Sequence, residues 1–204
     1  NSFDYVIRTA TIGGSRLKPD PPDTVEKNVK MYINVSSNIN KFKKMIWFSS
    51  GAALCKNTPY GFSKFIQEKL WEMAPKNIYC LRVFGCFGPD ELPTRFLMTC
   101  IRDGHVHIKQ DRYFDFFDID DLCKTVDYIF KNQIREQIID AVYPTKYKLS
   151  QLAEMIGASY NIEEEDLGND YTGTSNNLLE FDDMKTILER FKKKVLLKIS
   201  DESF

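Results

Sequence analysis

Histidine is nearly missing from this chain, with two in 204 residues, and the five cysteines include no Cys-x-x-Cys pair. His105 and His107 flank Val106 on an expected strand and so share a face. With no Cys or carboxylate partner at ligand spacing, no metal site is expected. An odd cysteine count argues against a disulfide framework and for a reducing, cytoplasmic setting. Apolar runs fall short of the roughly 20 residues of a membrane span, and no secretory leader is expected. With 28 basic and 29 acidic residues, net charge is -1, so nothing draws the chain generally to nucleic acid or anionic lipid. The run Lys192–Lys194 reads as a last helical turn, where cations suit the dipole. The ten glycines contain no Gly-x-Gly-x-x-Gly, so the usual pyrophosphate cradle is lacking.

What the chain does have is 43% hydrophobic residues, enough for a real core, arranged as alternating strand and helix patterns. Apolar runs predict strands at Phe3–Ile7, Met45–Phe48, Ile78–Phe84, Val106–Lys109 and Ile138–Val142. Helical spacing predicts Thr24–Asn40, capped by Asp23, with Val25, Val29, Tyr32, Ile33 and Ser36 as its buried face. It also predicts Tyr60–Met73, with Phe62, Phe65, Ile66, Leu70 and Met73 inward and Pro75 as its end. Further helices are expected over Arg95–Arg102, from a cap at Asp118 or Asp120 to Phe130, over Gln151–Ile156 behind Ser150, and over Asp182–Lys194. Gly85–Pro93 reads as loop, and Glu163–Thr174 as acidic and turn-rich. Such alternation is the mark of a parallel α/β sheet.

Chemistry concentrates in Thr58-Pro59-Tyr60-Gly61-Phe62-Ser63-Lys64. On a helix, Tyr60 and Lys64 stack on one face. A cation one turn away favours the ionised form of a phenol, which otherwise titrates near about 10. Tyr60 could then exchange a proton with a substrate oxygen. Just before it, Lys44-Met45-Ile46-Trp47-Phe48 empties into Ser49-Ser50-Gly51, as a buried strand does at the ligand-binding edge of an open α/β sheet. Ser50 is the candidate hydroxyl, with Ser49 facing away. The nine residues from Ser50 to Tyr60 form a short connection, and a mobile loop is expected at Leu54–Thr58.

Ser49-Ser50-Gly51, Tyr60-x-x-x-Lys64, Leu81-Arg82-Val83-Phe84-Gly85-Cys86-Phe87-Gly88-Pro89 and Asp115-Phe116-Phe117-Asp118-Ile119-Asp120-Asp121-Leu122 follow one another in that order. Together they resemble the extended short-chain dehydrogenase/reductases, the nucleotide-sugar epimerase, dehydratase and reductase family. The resemblance runs from about Asp4 to Leu179.

That resemblance implies a doubly wound, Rossmann-like parallel sheet with a small C-terminal substrate-binding lobe. Residues 1–88 and 110–142 would form the cofactor domain, and 89–109 with 143–204 the lobe. Phe3–Ile7 would be the fourth strand, with two βαβ units of about 30 residues each expected before it. The implied function is an NAD- or NADP-dependent epimerase or ketoreductase acting on a nucleotide-sugar, with hydride exchanged at the nicotinamide and Ser50, Tyr60 and Lys64 relaying the proton. Gly51-Ala52 stand where a 4,6-dehydratase carries Asp-Glu, which disfavours that branch. Implied cofactor contacts are Thr9, Ala10, Thr11, Tyr60, Lys64 and Val83; implied substrate contacts are Ser50, Gly85, Arg95 and Arg112. Gly85 takes the place of a sugar-contacting asparagine and Phe114 that of a pyrophosphate-binding arginine. Those two departures keep open a non-catalytic NAD(P)-binding regulator or scaffold. A homodimer through the two helices Thr24–Asn40 and Tyr60–Met73 is also implied, with Met31, Val35, Phe65 and Trp71 as the surplus apolar residues.

Overall fold

The structure, a computed structural model, describes residues 2–15, 17–73, 77–164 and 170–201. Pro75, expected to end a helix, lies outside them. Two compact units divide the chain. One comprises residues 1–84 and 124–141, the other 85–123 and 142–204.

The first unit is built on four parallel strands in the order β1-β2-β3-β7: β1 (Phe3–Arg8), β2 (Phe42–Ser50), β3 (Ile78–Val83) and β7 (Ile138–Ala141). β2 and β3 are the central pair and carry fully buried Met45, Ile46, Trp47, Ile78, Cys80 and Leu81. A central parallel strand is covered on both faces, so its sequence is a continuous apolar run and its position legible. Helices α1 (Thr24–Ser36) and α3 (Pro59–Trp71) pack against one another. Tyr32 of α1 meets Trp47 edge to face, in a cluster with Phe42, Met45, Trp71, Ile78 and Cys80. Helix α5 (Ile119–Lys131) enters this unit at Lys124. There Phe130 stacks on Tyr5, and Lys44 Nζ donates to the carbonyls of Ile129 and Phe130, both at 3.0 Å. A cation on the last carbonyls of a helix is the favoured end of its dipole.

Several local expectations are corrected here. The Asp23 side chain makes no cap to α1 and pairs with Lys27 at 2.7 Å. α1 stops at Ser36, and a 3-10 turn, Ile39–Lys41, follows. Its buried residues are Thr24, Asn28 and Tyr32, while Ile33 is exposed. α3 is likewise rotated: Ser63, Lys64, Gln67, Glu68 and Trp71 are inside, and Phe62, Leu70 and Met73 outside. The polar row wins the interior because the sheet offers it partners, as shown below. Leu54–Thr58 is no open loop. A single helical turn, α2 (Ala52–Cys55), closes on left-handed Lys56, and Thr58 caps α3 by accepting from Gly61 N at 3.0 Å. Gly61 is required there, because a Cβ would meet the Ala52 carbonyl at 2.5 Å.

The second unit holds two parallel pairs, β4 (Gly85–Phe87) with β6 (Phe116–Asp118), and β5 (His105–Gln110) with β8 (Ser159–Glu164). Its helices are α4 (Phe96–Asp103), α6 (Leu149–Ile156), α7 (Met184–Asp201) and the start of α5. Aromatic rings fill its core. Phe87 packs on Phe116 and Phe191, and Phe117 on Tyr143 and Phe181. Gly85–Phe87, which reads as loop, is a strand, and β8 covers Ser159–Ile162, where no element is expected, and runs into the first two residues of the acidic stretch Glu163–Thr174. α6 starts after Lys148, whose N–H donates to Gln151 Oε1 at 2.9 Å; Ser150 lies inside the first turn and donates instead to Asp111 at 2.8 Å. Asp118 does cap α5, accepting from Asp120 N at 2.8 Å.

Candidate functional site

β2 ends in Ser49 and Ser50, and successive strand residues present opposite faces. Ser49 donates to Glu68 Oε1 at 2.5 Å inside the protein. Ser50, 8% exposed, accepts from Ala52 N at 3.2 Å, which ties it to the turn of α2. α3 then returns over the sheet and places Tyr60 half-buried and Lys64 buried.

Lys64 is the decisive group. Only 2% exposed, it donates to the Phe48 carbonyl at 2.7 Å, with its ammonium 5.4 Å from the centroid of the Tyr60 ring and 5.8 Å from that of Trp47. Burial, reinforced by the Arg8 guanidinium, pushes it down to about 8. Desolvation disfavours an ammonium, and a neighbouring cation does so further.

The loop after β1 is stitched to this helix by residues that spacing does not reveal. Asn28 accepts from Ile12 N and donates to Ile12 O, both at 2.8 Å, and donates to Ser63 Oγ at 2.9 Å. Ser63 in turn donates to the Tyr60 carbonyl at 2.7 Å. Asp20 accepts from Gly14 N at 2.7 Å and Tyr60 N at 2.8 Å. Gly14, at φ +78°, lies so close that a Cβ would stand 3.0 Å from the Tyr60 ring. Thr9, Ala10 and Thr11 are exposed on this loop, and Thr11 reaches Asn28 at 3.5 Å; Val83 ends β3. The first unit thus gathers Thr9, Ala10, Thr11, Ser50, Tyr60, Lys64 and Val83. A polar residue on the inner face of an apolar helix is the signal that would have found Asn28.

Gly85, Arg95 and Arg112 belong to the second unit. Gly85 starts β4 under a ceiling of aromatics, where a Cβ would meet Phe114 at 2.9 Å and Phe116 at 3.1 Å. Arg95 pairs with Glu91 at 2.7 Å and lines a cavity of about 400 Å³ with Cys86, Pro89, Leu92 and Ile119. Arg112 lies over the Phe114 ring at 5.8 Å. Both expected histidines are engaged on the β5/β8 pair, His105 with Ser159 at 2.9 Å and His107 with Glu163 at 2.7 Å. Among the described residues no three metal-binding side chains cluster.

No protein-family model matches this chain, and no curated protein sequence matches it. Solved structures do, over nearly its whole length. A UDP-glucuronic acid 4-epimerase from Bacillus cereus, bound to a deoxyfluoro UDP-glucuronic acid and NAD, aligns with a TM-score of 0.73 at 19% identity, over 95% of this chain and 76% of its own. RMD from Pseudomonas aeruginosa with NADPH gives 0.75 at 15% identity, over 96% and 82%. A GDP-L-fucose synthetase from Naegleria fowleri bound to NADP gives 0.74 at 15%, over 96% and 77%. The chain has their fold.

Within that fold the donor set at the end of β2 fits the nicotinamide end of a dinucleotide. An ammonium has three N–H groups, and the Phe48 carbonyl takes one from Lys64, leaving two that could hold a vicinal diol. Small, exposed Thr9, Ala10 and Thr11 leave backbone approachable beside it.

Proposed function

We propose that this chain is the catalytic part of an NAD(P)-dependent epimerase or ketoreductase acting on nucleotide-sugars, with Ser50, Tyr60 and Lys64 as its working residues. The observation that carries the reading is the buried Lys64 ammonium beside the Tyr60 ring at the carboxyl end of a parallel sheet, where ligands of such sheets bind. The nicotinamide, when bound, supplies the redox chemistry. Ser50 Oγ hydrogen-bonds the reacting substrate oxygen. Tyr60 Oη passes the proton to or from that oxygen, and Lys64 holds the ribose hydroxyls while its charge stands beside the phenol. The first unit serves the cofactor. The second serves the nucleotide-sugar, with Arg95 and Arg112 as phosphate-facing guanidinium groups, suited to bidentate oxyanion contacts.

A second reading, a cofactor-binding regulator of the same fold, rests on Gly85 and Phe114. The first has no side chain and no room for one, and the second is a buried ring on Tyr171. Neither offers a side-chain donor to a sugar or a phosphate. Supplying NAD or NADP with a panel of nucleotide-sugars, while following nicotinamide absorbance and the sugar products by chromatography, separates the two. Cofactor binding with no interconverted or reduced sugar would favour the regulator.

The proposal includes a homodimer. Val25, Val29 and Ile33 of α1 and Ile66 of α3 line an outward apolar cleft of about 400 Å³, flanked by exposed Phe62 and Leu70. This is a different set from Val35 and Trp71, which pack into the core. Five free cysteines agree with a cytoplasmic setting.

A further inference from the structure

Arg8 closes β1 and is 6% exposed, yet no carboxylate lies within ion-pairing distance of it among the described residues. Its Nη1 donates to the Gln67 side-chain oxygen at 3.1 Å and its Nη2 to the Asn28 carbonyl at 3.4 Å, while Nε has no partner. Burying a cation on neutral acceptors alone is costly. A neutral residue filling the same space would avoid that cost, so the charge itself calls for an explanation.

The neighbourhood supplies one. Arg8 is in register with Trp47, so both occupy one face of the sheet. Lys64 stands over the Trp47 ring at 5.8 Å, and Gln67, the acceptor of Arg8, follows Lys64 by three residues on α3. Two cations therefore share one dry face. We propose that Arg8 is a positioning residue for Lys64: it anchors α3 through Gln67 and sets a second cation on the sheet face that the ammonium occupies.

The other groups facing the pair leave Lys64 as the one that responds. From α1, Tyr32 lies 5.9 Å from the Arg8 guanidinium, and burial pushes its phenol up to about 12. From β3, burial drives the Cys80 thiol far up. On α3 itself, Glu68 attracts the ammonium but is already held by Arg82 and Ser49, and Tyr60 is the proposed proton carrier. The guanidinium keeps its charge throughout. Arg8 thus offsets the pull of Glu68 on the ammonium.

This inference rests on the proposed role of Lys64, but its test does not require turnover. The full chain, labelled at lysine Cε, would be titrated by NMR, with Lys64→Met assigning the signal. Arg8→Met should raise the Lys64 midpoint by about one pH unit, the scale on which a single nearby charge acts. Arg8→Lys should leave it near the parent value. Gln67→Glu, which sets a carboxylate against Arg8 without removing it, should also raise it and decides the matter if Arg8→Met does not fold. A midpoint unmoved in Gln67→Glu and in any folded Arg8→Met overturns the inference, whether or not nucleotide-sugars turn over. Midpoints that move as stated uphold it, even if no sugar reacts and the epimerase or ketoreductase reading falls.

Discussion

Replacing Arg82 by methionine should cost the fold about 3–5 kcal/mol, the usual result of stranding buried carboxylates. The guanidinium donates Nε and Nη2 to Glu68 at 3.1 and 2.8 Å and Nη1 to Asp140 at 2.7 Å. Side-chain exposure is 12% for Arg82, 6% for Glu68 and 9% for Asp140, so water cannot take its place. Glu68 would retain only the Ser49 hydroxyl among these bonds, and Asp140 would lose its cation. The chain's two tryptophans, Trp47 and Trp71, are both buried in this unit, so urea unfolding followed by their fluorescence reports on it directly. With a slope of about 2 kcal/mol per molar urea, the midpoint should fall by about 1.5–2.5 M. Adding Glu68→Gln and Asp140→Asn should recover much of the loss, because amides can be buried without a counter-charge. A midpoint within about 0.5 M of the parent for Arg82→Met alone, on the same slope, would show that the network contributes little.

Tyr60→Phe should leave nicotinamide binding nearly intact and lower turnover by about 10²-fold or more, the contribution of positioned proton transfer; full activity in steady-state assays would remove Tyr60 from the mechanism. Gly14→Ala puts a side chain at φ +78° and 3.0 Å from the Tyr60 ring; it should cost about 1–3 kcal/mol of backbone strain, read by thermal unfolding, and weaken nicotinamide binding in a calorimetric titration. For Lys64 the folded midpoint of about 8 lies below the usual 10.5. The unfolded chain therefore binds more protons between those values, and stability should rise with pH through that window. Denaturation curves at pH 8 and 10 should show the parent gaining on Lys64→Met, and parallel curves would refute the burial argument.

The central strands β2 and β3 were legible because burial on both faces writes them as unbroken apolar runs, as in Met45-Ile46-Trp47-Phe48. Tyr60 and Lys64 were legible because helical spacing alone decides that they share a face. β4 and β6 escaped notice because each has three residues, too few to show a period. β8 did so because Ser-Tyr-Asn-Ile-Glu-Glu owes its strand to pairing with β5 rather than to its own composition. The facing of α3, and of α1 at Ile33, differs from the expected one for another reason. Hydrophobic periodicity assumes that apolar side chains seek the interior, whereas here Arg8, Asn28, Ser49 and Arg82 furnish polar partners there. Those partners come from distant parts of the chain, beyond the reach of any local window.

That inward row of Ser63, Lys64, Gln67 and Glu68 makes α3 a helix whose stability and purpose pull in opposite directions. Random substitution screened only for heat resistance would be drawn to aliphatic residues at these four positions, since a well-packed apolar interior often equals or exceeds a satisfied ionic one. On the proposed role of Lys64, a variant hardened at that position would keep its circular dichroism and lose turnover. The same conflict gives a laboratory criterion: positions on α3 where stabilising and inactivating substitutions coincide mark the working face of the helix.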